Sequence, residues 1–372
     1  MKVLFYTPMS IRYGGGCENW FSELAKLLIN KHKIKVGLID TNFIPTERWN
    51  ENEIKNKLKN VDYKTINESV KGNILLPKLS NLNEIAKISE NYNLIYFNFS
   101  FIFQDILMYL VKKITKKPVI CGIHAPLFFG NKIHDFYVNL IAKKVLKKFD
   151  AIHVLNETDR NLMSKWDIKK IFYIPSGSNT DKFKMKEFVK IKKLKLLFVG
   201  RLAEQKGIGI LVNAIKEIYK TELKDKIEFN IVGSGELKRL IDEIKDYKNV
   251  NYYGFVKDIA KEYQKNDILL MPSKQETFGL TITEANSCGL PVISSKIPGP
   301  DKLIIEGKNG WFLKEITYKE LTNKIIKVYD LWNKNPKMIT QMGKFGREFV
   351  IKNYSTIRTA QGFKEMFLEE LK

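Results

Sequence analysis

Short, nearly all-apolar runs rich in β-branched residues alternate with longer amphipathic segments along this 372-residue chain. That alternation leaves few folds open. The runs VLFYT (3–7), IKVGLID (34–40), LIYFNF (94–99), PVICGI (118–123), AIHVL (151–155) and IFYIP (171–175) make a first series. LKLLFVG (194–200), IEFNIVG (227–233), VNYYGFV (250–256), DILLMPS (267–273) and PVISS (291–295) make a second. Between them lie segments of helical period such as ENWFSELAKLLIN, GILVNAIKEIYK and ELKRLIDEIKD. Strands that are apolar throughout are buried on both faces, and their separation by helices predicts parallel, doubly wound α/β sheets. The pattern occurs twice, so two Rossmann-like domains are expected. Residues 175–193 are polar, begin with Pro and Gly, and read as the linker. The predicted domains are 1–177 and 178–354, with a C-terminal helix at about 355–372 able to pack back on the first. Helices expected near 317–334, 337–352 and 356–371 do not alternate with strands and are expected on the outside.

Composition narrows the class further. An apolar fraction of 44% with 28% charged residues excludes a mainly disordered, collagen-like or coiled-coil chain. Cys17, Cys121 and Cys288 are too far apart for a disulfide framework or zinc cluster. Each reads as a small buried apolar residue in a reducing compartment. The apolar run after Met1-Lys2 stops at Thr7-Pro8, shorter than a signal peptide. The stretch from Leu94 to Val111 contains Asn98, Ser100, Gln104 and Asp105, which suits a strand and helix better than a membrane span. A cytoplasmic location is expected. The net charge is +22, yet only seven of the 63 basic residues are arginine. A base-reading protein would use more Arg, so no nucleic-acid partner is expected. One local excess stands out: Lys112 to Lys148 carries nine lysines and one acid, Asp135. Within it Phe136, Leu140, Val145 and Phe149 are expected on one side of a helix, with lysines on the flank. A two-faced surface helix explains this alone; docking on an anionic membrane surface is the functional reading.

In open α/β sheets ligands sit beyond the carboxyl ends of the strands. Gly14-Gly15-Gly16 follows the first strand and precedes a helix, suiting either a flexible turn or close approach to an anion. Arg201 follows LKLLFVG directly and Lys206 precedes the next helix; two cations there suit a diphosphate. Glu276 and Glu284 bracket Phe278-Gly279-Leu280, which opens a helix expected to stop at Gly289-Leu290-Pro291. Free amides at 278–280 would cradle a phosphate, with a carboxylate for a sugar on either side. His124 stands out among four histidines only by following a strand. Gly233-Ser234-Gly235 lacks the third glycine of a dinucleotide fingerprint, position 238 being Lys, and reads as a tight turn with a phosphate or sugar contact.

With these residues in place the C-terminal half resembles the retaining glycosyltransferases of family 4, which have the two-domain GT-B fold with Rossmann-like domains facing a central cleft. The resemblance rests on VGRLAEQKG, IVGSGE, YYGFVKD, MPSKQETFGLTITEANSCGLPVISS and EGKNGWFL. It extends more loosely to GGGCENWFSELAKLL, GIHAP and IPSGSNTDKF, and is specific between 194 and 313. The resemblance implies that Arg201 and Lys206 hold the donor diphosphate, Glu276 the donor sugar and Glu284 the ribose. The amides of Phe278, Gly279 and Leu280 would meet sugar and phosphate. Val256 and Asp258 would flank the base, His124 would lie by the transferred sugar, and Gly15 and Gly16 near the phosphate and acceptor. Gly233 joins the donor-binding set. Ser176 and Asn179 depart from the Asn and Asp frequent in that family, and region 41–92 matches nothing usable.

The activity so implied is transfer of a hexosyl group from a nucleotide-sugar to a glycan or lipid-linked hydroxyl, with retention. No Asp-x-Asp pair occurs, and two cations with a helix N-terminus can stabilise a leaving diphosphate, so no metal and no other cofactor is expected. No carboxylate is obviously placed as a covalent nucleophile, and the resemblance implies front-side attack with the leaving phosphate taking the acceptor's proton. An epimerase or phosphorylase on the same fold competes. A nicotinamide oxidoreductase or a non-catalytic nucleic-acid or partner-binding protein fits less well.

Overall fold

The computed structural model describes every residue except 45, 72–73, 100–102, 129 and 186–191. Part of the 94–111 stretch (with Ser100), of the basic segment 112–148 and of the linker 175–193 therefore lies outside the described residues. Contacts divide the chain into two units, Met1–Ser176 with Thr356–Lys372, and Gly177–Ser355.

The first unit is built on the strands β1 (Lys2–Tyr6), β2 (Lys35–Thr41), β3 (Asp62–Ile66), β6 (Leu94–Phe99), β7 (Val119–Ile123), β8 (Ala151–Val154) and β9 (Ile171–Tyr173). A small antiparallel hairpin of β4 (Ser69–Lys71) and β5 (Ile74–Leu76) lies apart from it. The sheet order is β3-β2-β1-β6-β7-β8-β9 and the pairings are parallel. Strands β1, β6 and β7 are buried almost residue by residue, because helices cover both faces. The edge strand β3, DYKTI, is mostly wet and carries charge, so no apolar run announces it.

The second unit carries β10 (Leu194–Val199), β11 (Ile227–Val232), β12 (Val250–Gly254), β13 (Ile268–Met271), β14 (Val292–Ser295) and β15 (Gly310–Leu313), in the parallel order β12-β11-β10-β13-β14-β15. The fold class read from the pattern is therefore present twice. Helix Ile208–Tyr219 buries Leu211, Val212, Ile215 and Ile218 on this sheet. The helix expected over ELKRLIDEIKD shrinks to one turn, Arg239–Asp242; Ile241 and Ile244 are buried in the core, and Leu237 and Leu240 pack against it half-buried.

The three C-terminal helices, Tyr318–Lys334, Lys337–Asn353 and Thr356–Glu370, do more than cover the outside. Leu321, Ile325, Val328 and Trp332 enter the second unit's core, and Phe363, Met366 and Phe367 are buried in the first. Nor is Cys17 buried as expected: it lies in the first turn of helix Gly16–Asn30, whose core face is Trp20, Phe21 and Leu24.

The basic segment also departs from the simple helical wheel. Helices Lys132–Tyr137 and Lys143–Leu146 are joined by a wider-turned stretch, Val138–Ala142, which shifts the buried face by about one residue. Tyr137, Val138, Ala142 and Leu146 point inward, as does Phe149, while Val145 packs half-buried against them. The expected common side of Phe136, Leu140, Val145 and Phe149 is thus split. What stays exposed is a ridge of Ile133, Phe136, Leu140 and Ile141.

Candidate functional site

In the second unit the strand order reverses between β10 and β13, which are adjacent and parallel. Loops leaving their carboxyl ends part to opposite sides and open a crevice, the place where such sheets take ligands. The loop after β10 carries Arg201 and Lys206; the loop after β13 carries Glu276 and Phe278-Gly279-Leu280.

The two loops are tied to each other. Lys206 Nζ lies 2.7 Å from Glu276 Oε1, and the fully buried Ser273 donates its hydroxyl to the same oxygen at 2.9 Å. The Gln205 carbonyl accepts from the Lys274 amide at 2.8 Å, and Glu204 pairs with Lys274. The Gln205 side chain in turn accepts from Arg201 Nη2 at 2.8 Å. Arg201 is otherwise solvent-exposed. Lys206 and Glu276 thus hold each other at the crevice, a charge-assisted contact that an incoming diphosphate would share with Lys206.

Glu276 is followed by Gly279 as N-cap of helix Leu280–Ser287, which stops at Cys288 as expected. The first amides of this helix lack intrahelical acceptors. Glu284 lies one turn further on and its Oε2 accepts from Tyr263 at 2.8 Å. Tyr263 is fully buried on helix Ile259–Lys265. Burial pushes the Glu284 carboxyl up to about 7, held in check by that hydrogen bond and the charge of Lys182.

Gly233 sits where β10, β11 and β12 end: its amide donates to Gly254 and its carbonyl accepts from Tyr252. Those bonds occupy the turn's own polar groups. Val256 is half-buried beyond β12; Asp258 is exposed and pairs with Lys261 at 3.5 Å.

The remaining predicted residues belong to the first unit. Gly15 caps helix Gly16–Asn30, and the Glu18 carboxyl lies over this helix start: a Cβ built on Gly15 would come 2.8 Å from Glu18 Oε2, and the nearby Gly15 and Glu18 amides favour its charged form. That carboxyl is buried and pushed up to about 7 by its burial. An anion approaching this N-terminus would meet that acid. His124, just beyond β7, is half-buried against Trp20, ring centroids 4.9 Å apart, and bonds Tyr96 at 2.6 Å.

Ser273, Gln205, Tyr263 and Tyr96 were not foreseeable as site residues from motif alone. Only Ser273 carried a signal, its place at a strand end. Among the described residues no three His, Cys, Asp or Glu side chains gather so as to hold a metal ion, and no helix is long and apolar enough to cross a membrane.

Comparison with known proteins bears on the family and the fold. Residues 179–348 match the family model of glycosyl transferases group 1. An uncharacterized glycosyltransferase of Methanocaldococcus jannaschii is 27% identical, covering 99% of this chain and 98% of its own. An Escherichia coli UDP-Gal:α-D-GlcNAc-diphosphoundecaprenol α-1,3-galactosyltransferase is 26% identical over 63% of each chain. The crystal structure of Anabaena HepE in complex with UDP and glucose superposes with a TM-score of 0.78 at 16% identity, over 99% of both chains. The fold is that of the GT-B proteins.

Proposed function

We propose that this chain, which its family match, relatives and fold support as a group 1 glycosyltransferase, moves a hexosyl group from a nucleoside diphosphate sugar to an acceptor hydroxyl, with retention and without a metal. The observation that carries the reading is the Lys206–Glu276 contact at the β10/β13 reversal, next to a helix N-terminus and one turn from Glu284. Cleavage of the bond from the anomeric carbon to phosphate leaves charge on the diphosphate. Arg201, Lys206 and the amides at 278–280 are fixed donors able to receive it without rearranging. Glu276 accepts from hydroxyls of the transferred sugar and Glu284 from those of the ribose. In front-side attack the acceptor oxygen bonds the same face of the anomeric carbon and passes its proton to the departing phosphate oxygen. His124 contacts the transferred sugar.

UDP is the first nucleotide to test, because the E. coli relative is named for UDP-Gal and HepE holds UDP. UDP, GDP and their sugars, each with and without EDTA, are screened by thermal shift. One nucleotide should raise the melting temperature equally with and without EDTA. Arg201→Ala should weaken its affinity about 10- to 100-fold, the loss of one hydrogen-bonded charge. Absence of any nucleotide effect on the wild-type chain would remove the basis of the assignment.

We also assign the acceptor to the lipid-linked class, met at the cytoplasmic membrane face. The exposed ridge Ile133, Phe136, Leu140 and Ile141 lies beside Lys132, Lys143, Lys144, Lys147 and Lys148. Apolar side chains entering an interface next to lysines over anionic lipid is the arrangement of a surface-docking helix, each lysine adding about 1 kcal/mol. Flotation with phosphatidylglycerol liposomes should recover the wild-type protein. Changing Lys143, Lys144, Lys147 and Lys148 to Glu should leave it in the dense fraction; equal flotation of the two proteins sinks this assignment.

A further inference from the structure

Three neighbouring strands of the first unit bring an unbroken polar chain to His124. Tyr96 stands on β6, His153 on β8, and His124 follows β7 between them. The Tyr96 hydroxyl lies 2.6 Å from His124 Nε2 and 2.6 Å from His153 Nδ1. His153 Nε2 lies 2.8 Å from the backbone carbonyl of Ile174. Tyr96 and His153 are fully buried, walled by Phe363 at ring-centroid distances of 5.4 and 4.9 Å.

The direction of each bond follows from its fixed end. A backbone carbonyl only accepts, so His153 Nε2 carries a proton. Burial holds His153 neutral, lowering it to about 4, so its Nδ1 is bare and accepts. The single Tyr96 hydroxyl proton is therefore given to His153. Toward His124 the hydroxyl oxygen can only accept, which puts a proton on His124 Nε2. His124 is also held neutral by burial and by the neighbouring His153. Its Nδ1 is left as a lone-pair acceptor, with no hydrogen-bond partner among the described residues.

Strand β7 carries the mark of this arrangement. A Cβ added at Gly122 would lie 1.9 Å from the Tyr96 hydroxyl and 3.0 Å from His124 Cδ2. Glycine weakens a buried strand, and here its missing side chain is the space through which Tyr96 reaches both imidazoles.

We propose that Tyr96 and His153 are positioning residues that lock His124 in the Nε2–H tautomer, so that His124 presents an acceptor, and no donor, to a hydroxyl of the transferred sugar. The sugar contact rests on the function proposed above; the locked tautomer stands on the geometry alone. The selectivity follows from it. A sugar with a hydroxyl at that position donates to Nδ1, whereas its deoxy or fluoro analogue leaves the nitrogen unpaired.

The test has two arms. In the first, long-range proton–nitrogen NMR spectra of histidine-labelled protein at neutral pH are assigned with His124→Gln. A protonated Nε2 and bare Nδ1 at both His124 and His153 are expected. Tyr96→Phe, which keeps the ring, and Gly122→Ala, which displaces the hydroxyl, should each bring mixed tautomers to His124. An Nδ1–H form of His124 in the wild type overturns the proposal, and so does an unchanged His124 spectrum in both variants. In the second arm, turnover of the UDP-sugar that stabilises the protein is measured. Tyr96→Phe should lower kcat about 10- to 100-fold, the usual scale for a residue that orients a functional imidazole, with UDP affinity within about twofold. A locked tautomer with wild-type turnover in Tyr96→Phe overturns the positioning role. Absence of any nucleotide-sugar turnover in the wild type, with the tautomer locked, strikes the proposed function and leaves the lock standing.

Discussion

Glu276→Ala is expected to reduce sugar transfer by on the order of 10²- to 10³-fold while the nucleotide that stabilises the wild type continues to raise the melting temperature. The wild-type carboxylate has two tasks on one face of the crevice. One oxygen, Oε1, receives Lys206 and Ser273, and the proposed sugar contact falls to what remains of its acceptor capacity. Alanine removes the acceptor and releases Lys206, which still faces the diphosphate as a point charge. Nucleotide affinity should therefore stay level or rise, since a cation freed from its carboxylate partner meets the phosphate unshared. Glu276→Gln separates the two tasks: it keeps an acceptor oxygen and loses the charge that holds Lys206. It should fall between wild type and alanine. Initial rates of UDP release with and without acceptor, beside UDP titrations by calorimetry, read both quantities. A Glu276→Ala protein that turns over within a few-fold of wild type would show that the acid at this crevice does not touch the reacting sugar.

The contrast between legible and hidden parts follows from what a linear pattern carries. Strands β1, β6, β10 and β13 are largely buried on both faces, and that burial is written as nearly all-apolar runs such as LIYFNF and LKLLFV, broken only by Asn98 and Lys195. The edge strand β3 reads DYKTI and is mostly exposed, while β15 is buried but only four residues long, GWFL, so neither shows such a run. The cations and the helix-opening turn were legible because each abuts a strand end. Their mutual contact was not: Lys206 and Glu276 are 70 positions apart and meet only because β10 and β13 are sheet neighbours. At the glycine triplet the hidden feature is local: the Glu18 carboxyl comes back over the start of its own helix, close to Gly15. His153 carries no signal of its own in the sequence; it is a core residue, and its place in the core is what orders the hydrogen bonds running to His124.

The second large effect is expected at Gly233, and there stability and binding should fall together. Gly233 has φ +139°, which side-chain-bearing residues rarely adopt, and a Cβ placed on it would lie 1.7 Å from the Gly200 carbonyl oxygen. The neighbouring backbone has little room to yield. Gly200 donates to Val232 at 3.1 Å, Gly233 to Gly254 at 2.7 Å, and Leu202 to Ser234 at 3.0 Å, so the ends of β10, β11 and β12 are bound to one another through this turn. Relief must come from moving Gly200 or twisting Gly233 out of its bond. Backbone strain of about 1 kcal/mol and an overpacking cost of about 2 kcal/mol give a loss near 3 kcal/mol. For a unit of this size that lowers the melting temperature by about 6–12 °C. Because Arg201 follows Gly200 directly, the same displacement moves the cation proposed to hold the diphosphate. Gly233→Ala should therefore bind the stabilising nucleotide more weakly than wild type even at temperatures where it is fully folded, with the Arg201→Ala loss as the ceiling. Circular dichroism melts and calorimetric titrations at 15 °C separate the two effects. Lowered stability with wild-type affinity would mean that the turn holds the sheet together without setting the position of Arg201.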